Sequence, residues 1–82
     1  MASVFLPLEV AREFASGVVE HDVEAGDLRQ LLRELDATFP GISERLKTGL
    51  AVAINGEILQ DWFLEDIPTG AEVRFLPAIE GG

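Results

Sequence analysis

The sequence predicts an α+β domain in which a mixed β-sheet packs against one main α-helix. Three observations lead there. β-prone runs lie near both ends of the chain, "SVFLPL" at 3–8 and "EVRFLPAI" at 72–79. Between them, leucines recur at the spacing of a single helical face. A further apolar run at 50–59 is split by Asn55-Gly56, the strongest short hairpin signal. With 82 residues, 48% hydrophobic and 26% charged, the chain has material for one core and no second domain.

Residues 3–8 are the first expected strand, with Pro7 marking an edge or an end. Gly17 supplies a turn in "REFASG", and "VVEHDV" (18–23) then alternates apolar and polar residues like the second arm of a hairpin. The helix follows. Asp27 stands where an N-cap belongs; Leu28, Leu31, Leu32, Leu35 and Phe39 share one face, and Arg29, Gln30, Arg33, Glu34 and Asp36 the other. Such a leucine stripe reads as core and not as a partner-binding seam. Pro40 and Gly41 end the helix, and "ISERLKTG" (42–49) adds a short helical piece before Gly49 stops it. "LAVAINGEIL" (50–59) is two strands about the Asn-Gly turn. "DWFLEDIPTGAE" is a loop with apolar anchors, and Thr69-Gly70 turns the chain into the last strand.

Strands, a helix and strands again place that helix across one sheet face with a right-handed crossover, the β-grasp or ubiquitin-like plan. The domain is expected over 1–76, with a flexible C-terminal Gly-Gly tail over 77–82. Alternation sends Val4, Leu6, Leu50, Val52, Ile54, Val73 and Phe75 to the face under the helix. Phe5, Pro7, Ala51, Ala53, Arg74 and Leu76 then look outward, a strip more apolar than solvent requires.

Composition narrows the function. A net charge of −9 opposes contact with nucleic-acid phosphates and with anionic lipid, and favours a basic protein partner. The absence of cysteine removes disulfides, zinc–thiolate sites, a thiol nucleophile and any sulfur relay through the chain's own thiols. No apolar run has transmembrane length, and "MASVFLPLEVARE" lacks a basic leader, so a cytoplasmic protein without membrane association is expected. His21 is the only histidine, and alternation puts its acidic neighbours Glu20 and Asp22 on the opposite face, so no metal site and no cofactor bound by this chain are expected. Glu65 and Asp66 have no nucleophile or base beside them and read as loop charges. Lys47 is the sole lysine, which disfavours chains built on copies of itself.

The phrases "INGE" (54–57), "FPGISERL" (39–46) and "IPTGAEVRFLPAIEGG" (67–82) resemble the MoaD/ThiS family of small ubiquitin-like sulfur carriers across essentially the whole chain. The tail pattern is the most specific part: a turn with Gly, an acidic residue, an apolar strand, Pro, a spacer and Gly-Gly. "FPGISERL" with "LPAIEGG" is similar in particular to actinobacterial carriers of the cysteine-synthesis type, while the chain length suits MoaD itself. The resemblance implies a carrier that is not an enzyme. A ubiquitin-activating-type adenylating enzyme uses ATP and magnesium to activate Gly82, sulfur replaces the adenylate to give a thiocarboxylate, and a sulfur-acceptor enzyme withdraws it. The favoured destination is molybdopterin biosynthesis, beside cysteine- or thiazole-type pathways. It also implies that the outward strip beside the tail meets the partners.

The tail's composition has its own physical reason. A carboxylate is a poor electrophile and must become an acyl-adenylate before sulfur can be attached. Residues without a Cβ pass a narrow channel to the α-phosphate and leave the terminal carbonyl open. Gly82 is then the reacting group, with Gly81 and Glu80 as the tail that delivers it. Two other readings stand beside the carrier: a protein modifier that joins Gly82 to target lysines, and a β-grasp interaction module whose glycines are inert.

Overall fold

The computed structural model describes residues 1–77. Its elements run β1 (Ala2–Phe5), α1 (Leu8–Phe14), β2 (Glu20–Val23), α2 (Leu28–Thr38), α3 (Ile42–Lys47), β3 (Leu50–Ile54), β4 (Glu57–Leu59) and β5 (Glu72–Pro77). The five strands form one mixed sheet in the order β2-β1-β5-β3-β4. β1 and β5 are parallel, and the other neighbours are antiparallel. The last strand therefore sits in the centre, where both of its edges are paired, as the β-grasp plan requires.

Local sequence accounts for most of these elements. Asp27 caps α2 by accepting the Gln30 backbone N–H at 2.7 Å. Leu28, Leu31, Leu32 and Leu35 are all buried, whereas Phe39 is half-buried and packs edge-on against His21. Asn55 and Gly56 take φ of 50° and 86°, the left-handed pair of a type I′ turn. The same asparagine locks the hairpin to the central strand: its side-chain oxygen accepts the Glu72 N–H at 2.9 Å, and its own N–H donates to the Glu72 carbonyl at 2.8 Å. Gly70, with φ 75°, completes a type II turn closed by the Ala71 N–H on the Pro68 carbonyl at 3.1 Å.

One expected segment differs. The β-prone run at 3–8 predicts a strand through Leu8, with a turn at Gly17 in "REFASG", but β1 stops at Phe5 and Leu8–Phe14 is helix. Pro7, with φ −58°, precedes it. Val10 and Ala11 are buried on the inner side of α1, and Ala15 just past its end is buried too. That spacing is helical, but seven residues are too few for the period to stand out against the β-prone run before them. β1 and β2 are nevertheless an antiparallel pair, with Val4 opposite His21, so the hairpin exists with a helix in its connection.

The core lies between the sheet and the helices. Val4, Val52, Ile54, Val73 and Phe75 from the sheet, with Leu6 just past β1, meet the α2 leucines, Ile42 and Leu46 there, and Leu50 packs half-buried at the margin. The 60–71 loop is held by Trp62, whose indole N–H donates to the Leu50 carbonyl at 3.2 Å and whose ring meets Phe75 at 5.5 Å. Ile67 and Ala71 are its other buried anchors. No polar or charged residue is buried among the described residues, and no helix there is long and apolar enough to cross a membrane.

Candidate functional site

Because all helices that cover the core lie on one side, the other face of the sheet is open. Strand register aligns Glu20, Phe5, Arg74, Ala53 and Ile58 in a single row across all five strands. One step toward the C-terminal end of β5, Leu76 stands opposite Ala51; one step the other way are Asp22, Ser3 and Glu72. The face is thus apolar toward the chain's exit and acidic toward its opposite end.

Arg74 governs the centre of this row. Its guanidinium lies 4.0 Å from the Phe5 ring centroid, and its Nε donates to Glu72 Oε1 at 2.8 Å. An exposed cation–π contact of this kind is worth ~0.5–1 kcal/mol, and the exposed ion pair adds little. Their main effect is positional: the charge is held over the half-buried Phe5 ring. The expected strip is accordingly not bare hydrocarbon but an apolar surface with a fixed cation at its middle.

The structure treats the six strip residues unequally. Phe5, Arg74 and Leu76 lie on the open face and are at least partly accessible. Ala51 and Ala53 point to the same face but are only 2% and 7% exposed, and neither belongs to the core cluster. The larger Leu76 and Arg74 stand opposite them in the register. Pro7 is half-buried and outside any strand, at the start of α1, so alternation never applied to it. Ile58, 53% exposed beside Ala53, belongs to the surface and was missed. Carrying the alternation through the Asn-Gly turn would have found it.

Gly82, Gly81 and Glu80 lie outside the described residues; the chain is described up to Pro77, the last residue of β5, which pairs with Leu50. Leu50 also lines, with Lys47, Gln60, Asp61, Trp62 and Phe63, an open concavity of about 280 Å³. No group of three or more metal-ligating side chains occurs among the described residues. His21 instead bonds the Val18 carbonyl at 2.7 Å through Nε2.

The ThiS family model matches residues 8–82. Among solved structures, the chain is similar to CysO of Mycobacterium tuberculosis, described as an antigen, with 22% identity and a TM-score of 0.84 over 96% of this chain and 100% of that one. It is likewise similar to a chain of the BexX/CysO complex of Amycolatopsis orientalis, with 19% identity and a TM-score of 0.83 over 100% of both chains. SAMP1 from Haloferax volcanii shares 22% identity at a TM-score of 0.68, over 99% of this chain and 98% of that one. At such identities these likenesses concern the fold, which is β-grasp. No curated protein sequence matches significantly. The family match spans nearly all of the sequence and reaches both terminal glycines, and this chain belongs to the ThiS family, ubiquitin-like sulfur carriers of the MoaD/ThiS type.

Proposed function

We propose that the chain carries sulfur as a thiocarboxylate on Gly82 and surrenders it to a biosynthetic acceptor enzyme. The observation that carries this reading is the reach of the family match through Gly82. A β-grasp body with every described helix on one side of its sheet supports it, because the chain needs only to be held while its end is processed elsewhere.

The chemistry is two displacements at the terminal acyl group. A carboxylate oxygen of Gly82 attacks the α-phosphorus of ATP, held with magnesium by a ubiquitin-activating-type adenylating enzyme, and pyrophosphate leaves. Sulfur supplied at the oxidation level of sulfide then attacks the acyl carbon, AMP leaves, and a thiocarboxylate remains. No redox change occurs at carbon. The chain contributes the acyl group and the docking surface, and the partner contributes the catalysis. The acceptor that withdraws the sulfur distinguishes the favoured molybdopterin-type destination from cysteine- or thiazole-type ones.

Intact mass tests the reading directly. Incubated with its cognate adenylating enzyme, ATP, magnesium and sulfide, the protein gains the mass difference of one oxygen replaced by sulfur. A protein that never gains it is not a carrier, and appearance of the chain on lysines of other proteins would establish the modifier reading in its place.

The open face supplies a second expectation. Leu76 is partly exposed, so Leu76→Glu leaves the domain folded while placing a charge where a partner must expel water. The dissociation constant for the adenylating or acceptor enzyme rises about tenfold or more, the ~1–3 kcal/mol of a desolvated interface position. Equal affinity, measured by calorimetry on a variant with unchanged circular dichroism, removes Leu76 from the interface.

A further inference from the structure

On the helical side of the molecule, away from the open sheet face, a second surface is built around α2 and shares Lys47 and Phe63 with the concavity that Leu50 lines. Arg29 and Arg33 stand one turn apart on α2, both exposed, and neither is in an ion pair among the described residues. Facing them are Lys47, at the end of α3, and Phe63, from the 60–71 loop, with Lys47 Nζ 5.4 Å from the Phe63 ring centroid. The groove between has a volume of about 410 Å³ and includes the buried Leu32.

Charge makes this groove unlike the rest of the protein. The chain has six Lys and Arg against 15 Asp and Glu, and three of those six side chains line this one concavity. Its two carboxylates are engaged: Asp36 accepts the Gly41 and Ser43 backbone N–H groups at 3.1 Å each, and Glu44 lies 3.8 Å from Lys47. The concavity beside His21 is lined instead by Asp22, Glu24 and Glu34.

Within the fold, these arginines are placed unfavourably. Like charges at i and i+4 repel, and Arg29 sits in the first turn of α2, at the positive end of the helix dipole, where the turn itself holds no acidic residue and the N-cap Asp27 is engaged by the Gln30 N–H. No intramolecular partner among the described residues repays that cost, so an external anion is the natural one.

We propose that the groove docks an acidic peptide segment of a partner protein, with carboxylates on Arg29 and Arg33 and an apolar side chain against Phe63. Guanidinium groups one helical turn apart match carboxylates spread along an extended chain, each able to accept a bidentate pair. A compact phosphate would concentrate its charge beside Asp36 and Glu44, and three cations in one short groove do not make the continuous basic stripe that a nucleic-acid backbone needs. A segment bound here leaves Phe5, Arg74 and Leu76 uncovered, so the carrier holds one partner on each side at once. The inference is independent of the sulfur chemistry.

An NMR titration of the ¹⁵N-labelled full chain with an acetylated synthetic peptide of glutamates around one leucine tests it. Amide shifts centre on Arg29, Arg33, Lys47 and Phe63, shrink as salt is raised, and vanish when lysines replace the glutamates. The double variant Arg29→Glu, Arg33→Glu raises the dissociation constant at least about tenfold while keeping the wild-type fold, and Arg74→Glu leaves it unchanged. Should charge reversal disturb α2, the pair Arg29→Gln and Arg33→Gln gives the same direction with a smaller change. Absence of shifts in the groove at millimolar peptide, shifts centred on Arg74, or undiminished binding by both double variants overturns the proposal. So does inorganic phosphate binding more tightly than the peptide, which would make the groove a small-anion site.

Discussion

Deletion of Gly82 abolishes sulfur loading by the adenylating enzyme and leaves the unfolding transition where it was. The two halves of this expectation have separate causes. Every strand pairing described in the sheet is complete by Pro77, so none depends on Gly82. The reaction, in contrast, depends on placing one carboxylate against one phosphorus. Removing a residue withdraws that carboxylate by roughly 3.3–3.6 Å of extended chain, as large as the whole separation of reacting groups in a near-attack geometry. An alanine added after Gly82 has the same consequence, since it advances the carboxylate and brings a Cβ into a channel suited to glycine. Intact mass shows no oxygen-to-sulfur replacement in either variant. A truncated chain that loads as well as the wild type would remove Gly82 from the chemistry.

Phe75→Ala has the largest expected effect on stability, about 3–5 kcal/mol, because it empties the centre of the core. Phe75 lies on the central strand, is 4% exposed, and meets the Trp62 ring edge-on at 5.5 Å. Its loss therefore opens a cavity and also frees the indole that pins the 60–71 loop to the Leu50 carbonyl. Total stability at 0.05–0.15 kcal/mol per residue is roughly 4–12 kcal/mol for a chain of this length, so the variant is largely or wholly unfolded if the wild type lies near the bottom of that range. Urea denaturation followed by Trp62 fluorescence measures it, and a loss under about 1 kcal/mol would show that the site collapses around the deletion. The adjacent Leu76 faces the other way, so Leu76→Glu tests binding and Phe75→Ala tests stability within a single dipeptide.

That pair also shows how far the chain could be read without its structure. Alternation in β5 separates Val73 and Phe75 from Arg74 and Leu76 correctly, because both edges of the strand are paired and one face is buried; a one-residue slip would put two large apolar groups in water. Asp27 and Asn55-Gly56 were legible for a similar reason, since a cap and a type I′ turn each depend on atoms within a few residues. The segment Leu8–Phe14 was not. Its helical period spans barely two turns, and packing against the core, rather than propensity, makes so short a helix persist.

The sequence by itself determined the β-grasp class, the family and the inward residues Val4, Val52, Ile54, Val73 and Phe75, because these reside in periodicity and in short contiguous patterns. Tertiary structure alone decided what each surface offers. Arg74 lies over Phe5 only because β1 and β5 pair in parallel with those two residues in register. Ala51 and Ala53, turned outward by alternation, are nonetheless buried, with the larger Leu76, Arg74 and Ile58 paired beside them on the neighbouring strands. Arg29, Arg33, Lys47 and Phe63 share a groove although they come from two helices and a loop. Contacts between distant segments depend on how those segments pack, and no pattern local to the chain encodes that.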